Sequence, residues 1–311
     1  MTQGPVLFVL DPSTPRFGLL VGSFASTGLA PFELLALDRD EGTDRALFDA
    51  ARRCSPRLVV LGLGLDAAMF SPRLPRVETL VSLRRELDVP IVATLDDGHT
   101  LAAMDLANAY APAVDLFNVQ DDYGTYREAA TNASRYWPSW TPLDPRLFGG
   151  RAGRRDVDVA VVAGTGTTPD AARESTEQLR RTGATVLTVD DGTTALADAC
   201  ARARIVVHLQ PDDAVCGPAD FAAPAAGALL LARDNPHVRR WLEPRTDFAP
   251  FTDPDEIEAI VQFHLAHGDQ HARIAERGQR RVRDECSARL YWRRLLTLAR
   301  SPAPSADLQP V

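Results

Sequence analysis

Two aspartates and a histidine follow an apolar run in the first half of the chain. Asp96, Asp97 and His99 come directly after residues 91–95, where a strand ending would place them at the edge of a sheet. A carboxylate or an imidazole at such an edge can take the proton of a hydroxyl group as that group attacks another molecule. The sequence DDG also forms turns, and Asp97 can instead cap a helix that starts near Thr100. We predict that Asp96, Asp97 and His99 are candidate general bases.

A segment rich in glycine and threonine, GTGTTPD at residues 164–170, follows an apolar run in the second half. Its small residues let backbone N–H groups come close to an anion, and its threonines add hydroxyl donors. An arginine one turn into the next helix supplies a cation that can meet a phosphate. The predicted anion-binding residues are Gly164, Thr165, Gly166, Thr167 and Arg173.

The same segment has a second interpretation as a dinucleotide-binding turn. Two glycines of a GxGxxG fingerprint follow an apolar run, and Asp190 lies roughly two dozen residues later, near the position that binds a ribose. Pro169 stands where the fingerprint has its third glycine, which normally permits close packing of helix on strand. The sequence therefore favours NAD binding less than the binding of another anion.

Charge and hydropathy limit the partners of the chain. Its 311 residues include 42 acidic and 34 basic side chains, and the net charge is -8 at pH 7. Nucleic acids and anionic membranes need a basic protein surface, so we expect neither as a partner. The sequence begins without a signal pattern, and no apolar run approaches the ~18 residues of a membrane span. We predict a cytoplasmic protein without an integral membrane segment.

All basic side chains are arginines, because the chain contains no lysine. This excludes a phosphate-binding lysine of the Walker type, Schiff-base chemistry and a receiver-type phosphorylation site. The four cysteines are far apart and predict reduced thiols rather than a metal site. His264, His267 and His271 have a spacing that superficially suits a metal. We expect Gly268 to break that helix, so we predict surface histidines and no metal site.

Short apolar runs alternate with amphipathic segments and must position these residues. Runs of four to six apolar residues without strict alternation are typical of strands covered on both faces, which indicates parallel sheets flanked by helices. In the first half, the predicted strands are 6–10, 32–37, 58–64, 91–95 and 115–119, and the predicted helices are 43–53, 75–87, 99–109 and 123–131. In the second half, the predicted strands are 158–164, 184–191, 204–210 and 227–233, and the predicted helices are 169–182, 193–203, 220–227, 235–242, 253–267, 269–283 and 286–299.

A segment dense in proline, glycine and arginine, residues 134–156, separates the two halves and predicts a linker. The sequence thus predicts an α/β protein with two Rossmann-like domains facing across a cleft. The first domain covers residues 1–148 and the second covers 149–285. Residues 286–311 form a C-terminal helix, which can pack back on the first domain, and a disordered tail.

Residues 204–298 resemble the second half of glycosyltransferases of the GT-B architecture, particularly the CgeB-like group, the spore-maturation-protein type. The matching residues are ARIVVHLQ and, further on, DFAAPAAGALLLARDNPHVRRWLEPRTDFAPFTDPDEIEAIVQFHLAHGDQHARIAERGQRRV. The family has a strand here, then a helix opening FE-x-x-A-C-G, a buried strand and paired helices. In the first half, VPIVATLDDGH and the run PSWTPLDPRLF resemble the family more loosely.

This resemblance implies a metal-independent bacterial glycosyltransferase of the hexosyltransferase type that needs no cofactor. Such an enzyme binds a nucleotide-diphosphate sugar, for example a UDP-sugar, on the second domain and moves the sugar to an acceptor hydroxyl. The acceptor is a small molecule or a glycan bound by the first domain. The resemblance adds five donor-binding residues to the glycine turn: His208, Asp220, Phe221, Ala222 and Pro224.

Acceptor binding is assigned to two aspartates and a tryptophan. Asp121 and Asp122 follow the fifth predicted strand and have the same two interpretations as Asp96 and Asp97. Trp137 lies near the linker, where it either packs against helices or stacks on a sugar or an aromatic acceptor. We predict that Asp121, Asp122 and Trp137 bind the acceptor.

Two residues depart from the family pattern. The acidic residue after the phenylalanine, which usually contacts the donor sugar or ribose, is Ala222 here, and the basic residue two positions before the phenylalanine is Ala219. These departures leave two alternatives open. One is a catalytically impaired protein that binds a nucleotide sugar or a partner, and the other is an enzyme resembling sugar-nucleotide epimerases. His208 also has the alternative of a hydrogen-bonded core residue.

Overall fold

The chain folds into two compact units in a computed structural model. The described residues are 4–11, 15–37, 42–63, 74–95, 101–120, 135–149, 155–164, 166–190, 194–211 and 216–301. The first unit comprises Met1–Ser139 and Arg289–Val311, and the second comprises Trp140–Ala288. The boundary follows Ser139 rather than residue 148, because Trp140 packs edge to face on Trp241 of the second unit with ring centroids 5.4 Å apart.

The first unit contains a parallel sheet of six strands in the order β2-β1-β3-β4-β5-β6. β1, β3 and β4 are buried along their whole length, as the unbroken apolar runs predicted. The strands are β1 (Val6–Leu10), β2 (Phe32–Ala36), β3 (Leu58–Leu63), β4 (Ile91–Leu95), β5 (Leu116–Gln120) and β6 (Tyr136–Ser139). The helices are α1 (Pro15–Thr27), α2 (Thr43–Cys54), α3 (Val77–Leu87) and α4 (Leu101–Tyr110), together with the C-terminal helix described below.

Two elements of the first unit differ from the sequence prediction. β6 lies within the predicted linker and pairs with β5, so that Asn118 lies beside Trp137 in register. Its residues, YWPS, contain a proline that argued against a strand, but β6 is an edge strand, where proline is tolerated. α1 was not predicted, because its segment PRFGLLVGSFAST is apolar around most of its circumference. The predicted helix 123–131 lies outside the described residues.

The second unit contains a parallel sheet of five strands in the order β11-β10-β9-β7-β8. The strands are β7 (Val157–Ala163), β8 (Val186–Asp190), β9 (Ala203–Leu209), β10 (Leu229–Arg233) and β11 (Ala249–Phe251). The helices before β11 are α5 (Pro145–Phe148), α6 (Pro169–Arg181), α7 (Thr194–Arg202), α8 (Pro218–Ala225) and α9 (Pro236–Arg239). After β11 follow the 3₁₀ turn Pro254–Glu256, α10 (Ile257–Ala266) and α11 (Gly268–Glu285). Only β11 among these strands was not predicted, since three residues carry no periodicity.

A half-buried arginine joins two helix ends in the second unit. Arg155 donates from Nη1 to the carbonyl oxygens of Cys200 and Ala203 and from Nη2 to that of Ala226, at the ends of α7 and α8. A cation at a helix C-terminus is favourable because the last carbonyl groups carry partial negative charge. Burial lowers the pKa of Arg155.

The C-terminal helix α12 (Ala288–Leu298) is part of the core of the first unit. Trp292 is fully buried and donates from Nε1 to the hydroxyl of Ser23 at 2.9 Å. Its ring packs edge to face on Phe24 and Phe8, with centroids 4.9 and 5.6 Å away. Within the described residues, no helix combines the length and the apolar character that crossing a membrane requires.

Candidate functional site

The topology of the second unit marks a crevice between β7 and β9. β8 lies on one side of β7 and β9 on the other, so the chain runs from β7 out to β8 and then crosses back over β7 to β9. In open α/β sheets, ligands bind at such a switch point, outside the carboxyl ends of the strands. At these ends, Val162 is in register with His208, and Ala163 with Leu209. Several residues predicted from the sequence meet here.

The glycine turn closes over the end of β9. The Gly164 amide donates to the carbonyl oxygen of Leu209 at 2.8 Å, and the Thr167 hydroxyl donates to the same oxygen at 2.7 Å. The Thr167 amide donates to the carbonyl oxygen of Gly164 at 3.0 Å, and Gly166 has a φ of +86°, which favours glycine. The structure therefore confirms a tight turn at this position.

The turn leads into α6, whose N-terminus is capped by threonine. The Thr168 hydroxyl accepts from the Ala171 amide at 3.2 Å, and Pro169 occupies the first turn. Arg173 pairs with Asp170 at 2.9 Å, and both side chains are exposed. Two amides of the first turn, those of Ala171 and Ala172, already donate to Thr168. A phosphate at this helix N-terminus would therefore meet the Asp170 amide and would compete with the Asp170 carboxylate for the guanidinium of Arg173.

A histidine and an aspartate form a buried pair beneath the turn. Nδ1 of His208 lies 2.7 Å from Oδ1 of Asp220, and both side chains are fully buried. Because an ionised carboxylate only accepts hydrogen bonds, Nδ1 is the donor. The second oxygen of Asp220 accepts from the Gly217 amide at 2.9 Å, at the N-cap of α8. The pair thus connects the end of β9 to the start of α8.

Gly164 fits closely against this pair. A Cβ atom at residue 164 would lie 2.8 Å from Nε2 of His208 and 2.9 Å from both Cγ of Gln210 and the carbonyl oxygen of Leu209. Contacts this short do not occur between real Cβ atoms and their neighbours. The absence of a side chain is therefore a packing requirement for the turn as well as a means of exposing its backbone.

The residues predicted to contact a donor from α8 are buried instead. His208, Asp220 and Ala222 have no exposed surface, and Phe221 is 1% exposed. Pro224 is also buried. α8 consists largely of small residues, so it packs closely on β9 and β10 and leaves these side chains no face toward a ligand. Direct donor contact by these five residues is therefore not in accord with the structure.

Trp137 is also enclosed, so its predicted stacking on an acceptor does not agree with the structure. Its ring is 1% exposed and packs on Tyr291 with centroids 5.0 Å apart, and the Arg294 guanidinium lies 5.8 Å from its centroid. Because α12 covers the ring, neither face is available. Asp96, Asp97, His99, Asp121, Asp122 and Thr165 lie outside the described residues, and their roles stay predictions.

The three histidines near Gly268 do not share one helix. α11 begins at Gly268, so the predicted helix break is confirmed. His267 is exposed, but His264 is buried, which contradicts its assignment to the surface. Burial lowers the pKa of His264 and, more strongly, lowers that of His271 to about 4. In the described ranges, no group of three or more His, Cys, Asp or Glu residues is arranged to hold a metal ion.

Comparison with known proteins gives one family match. Residues 176–297 match the profile of the family described as "Glycosyl transferase-like". A search of curated proteins returned no match to this chain.

Solved structures show the fold of the whole chain. HepE of Anabaena, crystallised with UDP, has 12% sequence identity to this protein and a TM-score of 0.60. The match covers 94% of this chain and 99% of the HepE chain. Sucrose-phosphate synthase of Thermosynechococcus elongatus has 12% sequence identity and a TM-score of 0.61, and the match covers 95% of this chain and 98% of that protein's chain. A glycosyltransferase of Rickettsia africae has 6% sequence identity and a TM-score of 0.65, and the match covers 96% of this chain and 98% of that protein's chain. The α/β fold with two parallel sheets therefore matches that of GT-B glycosyltransferase structures.

Proposed function

We propose that this protein is a metal-independent glycosyltransferase that moves a sugar from a nucleotide-diphosphate donor to an acceptor hydroxyl. One observation carries the proposal: the glycine turn lies at the switch-point crevice of a second unit whose fold matches glycosyltransferase structures. Two further structures of HepE, in complex with UDP and glucose and with UDP-glucose, match at TM-scores of 0.63. We therefore propose UDP as the nucleotide of the donor and a CgeB-like enzyme acting on a small molecule or a glycan.

The donor diphosphate binds at the turn that precedes α6. The backbone N–H groups of Gly166, Thr168 and Asp170 face the phosphates, since those of Gly164 and Thr167 already donate to carbonyl oxygens of the protein. The helix dipole favours the negative charge of the phosphates. Arg173 exchanges its exposed partner Asp170 for a phosphate oxygen. As the bond between sugar and diphosphate breaks, the same groups stabilise the charge on the departing diphosphate, so that neither a metal ion nor a cofactor is required.

The acceptor hydroxyl loses its proton to Asp96, Asp97 or His99. The role of general base fits these residue types, since each takes a proton near neutral pH or in a pKa-shifted environment. Asp121 and Asp122 bind hydroxyl groups of the acceptor. The reaction forms the bond between the acceptor oxygen and the anomeric carbon, breaks the bond to the diphosphate, and releases the nucleoside diphosphate.

Ligand binding and turnover test this proposal. We expect UDP and a UDP-sugar to raise the melting temperature, and we expect release of UDP from the UDP-sugar in the presence of EDTA. Arg173→Ala should weaken UDP binding, whereas Arg181→Ala, an exposed arginine at the other end of α6, should not. Stabilisation by NAD alone, without any effect of UDP-, GDP-, ADP- or TDP-sugars, would contradict the proposal.

A specific observation also favours a second candidate, a nucleotide-sugar-binding protein without catalysis. Ala219 and Ala222 replace the charged residues of the resembling family, and both are fully buried. The same experiments separate the two candidates. A nucleotide sugar that stabilises the protein but is neither transferred nor hydrolysed identifies the binding protein.

A further inference from the structure

The His208–Asp220 pair lies where three segments of the second unit meet. Asp220, on α8, pairs with the imidazole of His208 on β9. Its second carboxylate oxygen accepts from the Gly217 amide at the N-cap of α8. On its other side, the imidazole meets Gly164, where even a Cβ atom has no room. One pair of side chains therefore contacts both backbone segments that flank the crevice, the turn before α6 and the start of α8.

Stability alone does not account for this pair. The strand residues next to His208, Val207 and Leu209, are buried and apolar, and α8 packs through Phe221 and alanines. Removing a carboxylate and an imidazole from water costs several kcal/mol per charge, and apolar residues of similar volume often stabilise a core as well or better. A buried polar pair at a ligand crevice is thus more typical of a positioning role.

The family's charged contacts to the donor are missing from this chain. Ala219 and Ala222 have only methyl groups, and both are enclosed. Without those charges, donor binding depends on the backbone N–H groups of the turn before α6, and this turn must be held in place. Preorganised donors are effective because they need no rearrangement when the charge arrives.

We propose that His208 and Asp220 are positioning residues: anchored to the start of α8, they hold the turn that begins at Gly164 in the place where it binds the donor diphosphate. This inference rests on the proposed function. Because His208 and Asp220 are buried, they do not contact the donor directly. Their effect on donor affinity is indirect. The ligand class is a nucleoside diphosphate, alone or carrying a sugar.

Substitutions at His208 test the hydrogen bond separately from the shape of the core. His208→Leu removes the donor to Asp220, whereas the amide nitrogen of His208→Asn can occupy the position of Nδ1 and keep it. We expect His208→Leu to raise the Kd for UDP, and the KM for the UDP-sugar, about tenfold or more with kcat changed less than about threefold, since tenfold corresponds to ~1.4 kcal/mol. His208→Asn should restore both constants to within about threefold of the unaltered protein.

A matched control removes a buried hydroxyl elsewhere in the second unit. Thr176 donates to the Ala172 carbonyl oxygen at 2.7 Å in α6, away from the turn. Thr176→Val should lower the melting temperature without changing the Kd for UDP. Asp220→Asn, which keeps one acceptor oxygen, serves if His208→Leu does not fold, and it should also raise that Kd.

Two results overturn the proposal in different ways. If the unaltered protein binds no nucleoside diphosphate in isothermal titration, the proposed function fails and the inference fails with it. If the unaltered protein binds UDP, but His208→Leu or Asp220→Asn binds it equally well, the positioning role alone is wrong. Equal losses in His208→Leu and His208→Asn also overturn it, because the hydrogen bond would then have no effect.

Discussion

The hydroxyl group of Tyr291 donates to Oδ1 of Asn118 at 2.5 Å, linking α12 to β5 inside the first unit. Asn118 in turn donates from Nδ2 to the hydroxyl of Ser139 at 2.7 Å, on β6. Burial raises the pKa of Tyr291 far above its ordinary range, so the phenol remains a neutral donor. A single polar network therefore connects the C-terminal helix to two neighbouring strands.

Tyr291→Phe should destabilise the protein by about 1–3 kcal/mol, because it leaves the buried oxygen of Asn118 without this donor. Chemical denaturation monitored by circular dichroism measures the free energy of unfolding. Thr297→Val is the control, since the Thr297 hydroxyl is on the exposed side of the same helix. Equal effects of the two substitutions would show that the buried network contributes nothing.

Gly164→Ala should disrupt the turn before α6 and weaken UDP binding at least about tenfold, because the new methyl group meets backbone as well as side chains at under 3 Å. Gly268→Ala provides the comparison, since a Cβ atom at residue 268 has no neighbour within 4 Å. Isothermal titration with UDP gives both affinities. Unchanged affinity in Gly164→Ala would remove the turn from the donor site.

Ala222→Glu, which restores the acidic residue of the resembling family, should not restore its donor contact. Ala222 is fully buried, so the new carboxylate would lose its hydration and cost several kcal/mol. We expect a clear loss of melting temperature, larger than that of Ala225→Glu, which is half-buried on the same helix. A stable Ala222→Glu protein with higher transferase activity would contradict this expectation.

Mild acid should destabilise the second unit through His271. Burial, followed by the charges of Arg204, His264 and Arg155, lowers its pKa to about 4 from an ordinary 6.5. Between these values the unfolded chain binds the proton and the folded protein does not, so stability rises with pH across this window. From pH 7 to pH 4.5 we expect a loss of up to about 3 kcal/mol.

Denaturation of His271→Gln over the same pH range checks this dependence, and its unfolding free energy should fall less steeply toward acid. Gln270→Asn, at an exposed neutral residue next to His271 on the same helix, is the control and should leave the slope unchanged. Parallel slopes for His271→Gln and the unaltered protein would show that another group titrates.

Much of the fold is readable from local sequence. Strands such as β1 and β9 are predicted because a strand covered on both faces needs an unbroken apolar run, and that run is visible without any knowledge of its neighbours. β6 was not predicted, because its structure depends on pairing with β5. Its proline and its two aromatic residues do not by themselves indicate a strand. Burial of Trp137 was equally unpredictable, since its cover comes from Tyr291, far along the chain.

The candidate site divides in the same way. The glycine turn at 164–168 could be predicted, because small residues between a strand and a helix carry their own conformational signal. The sequence singled out His208 and Asp220 as well, but as groups facing a donor. Their mutual hydrogen bond depends on how α8 packs against β9, which is a tertiary property. Two sequence signals indicate such a pair. One is a polar residue near the end of an apolar strand, and the other is an acidic residue in the first turn of the next helix.

The place of α12 in the first unit sets an order for folding during synthesis. Residues 140–288, the whole second unit, leave the ribosome before Tyr291 and Trp292 do. Until then, the Asn118 oxygen and the aromatic cluster around Phe24 lack their partners from α12. Domains usually complete folding from the N-terminus during translation, but here the later unit is complete first. The nascent first unit must therefore wait, with part of its core uncovered, until α12 has been synthesised as well.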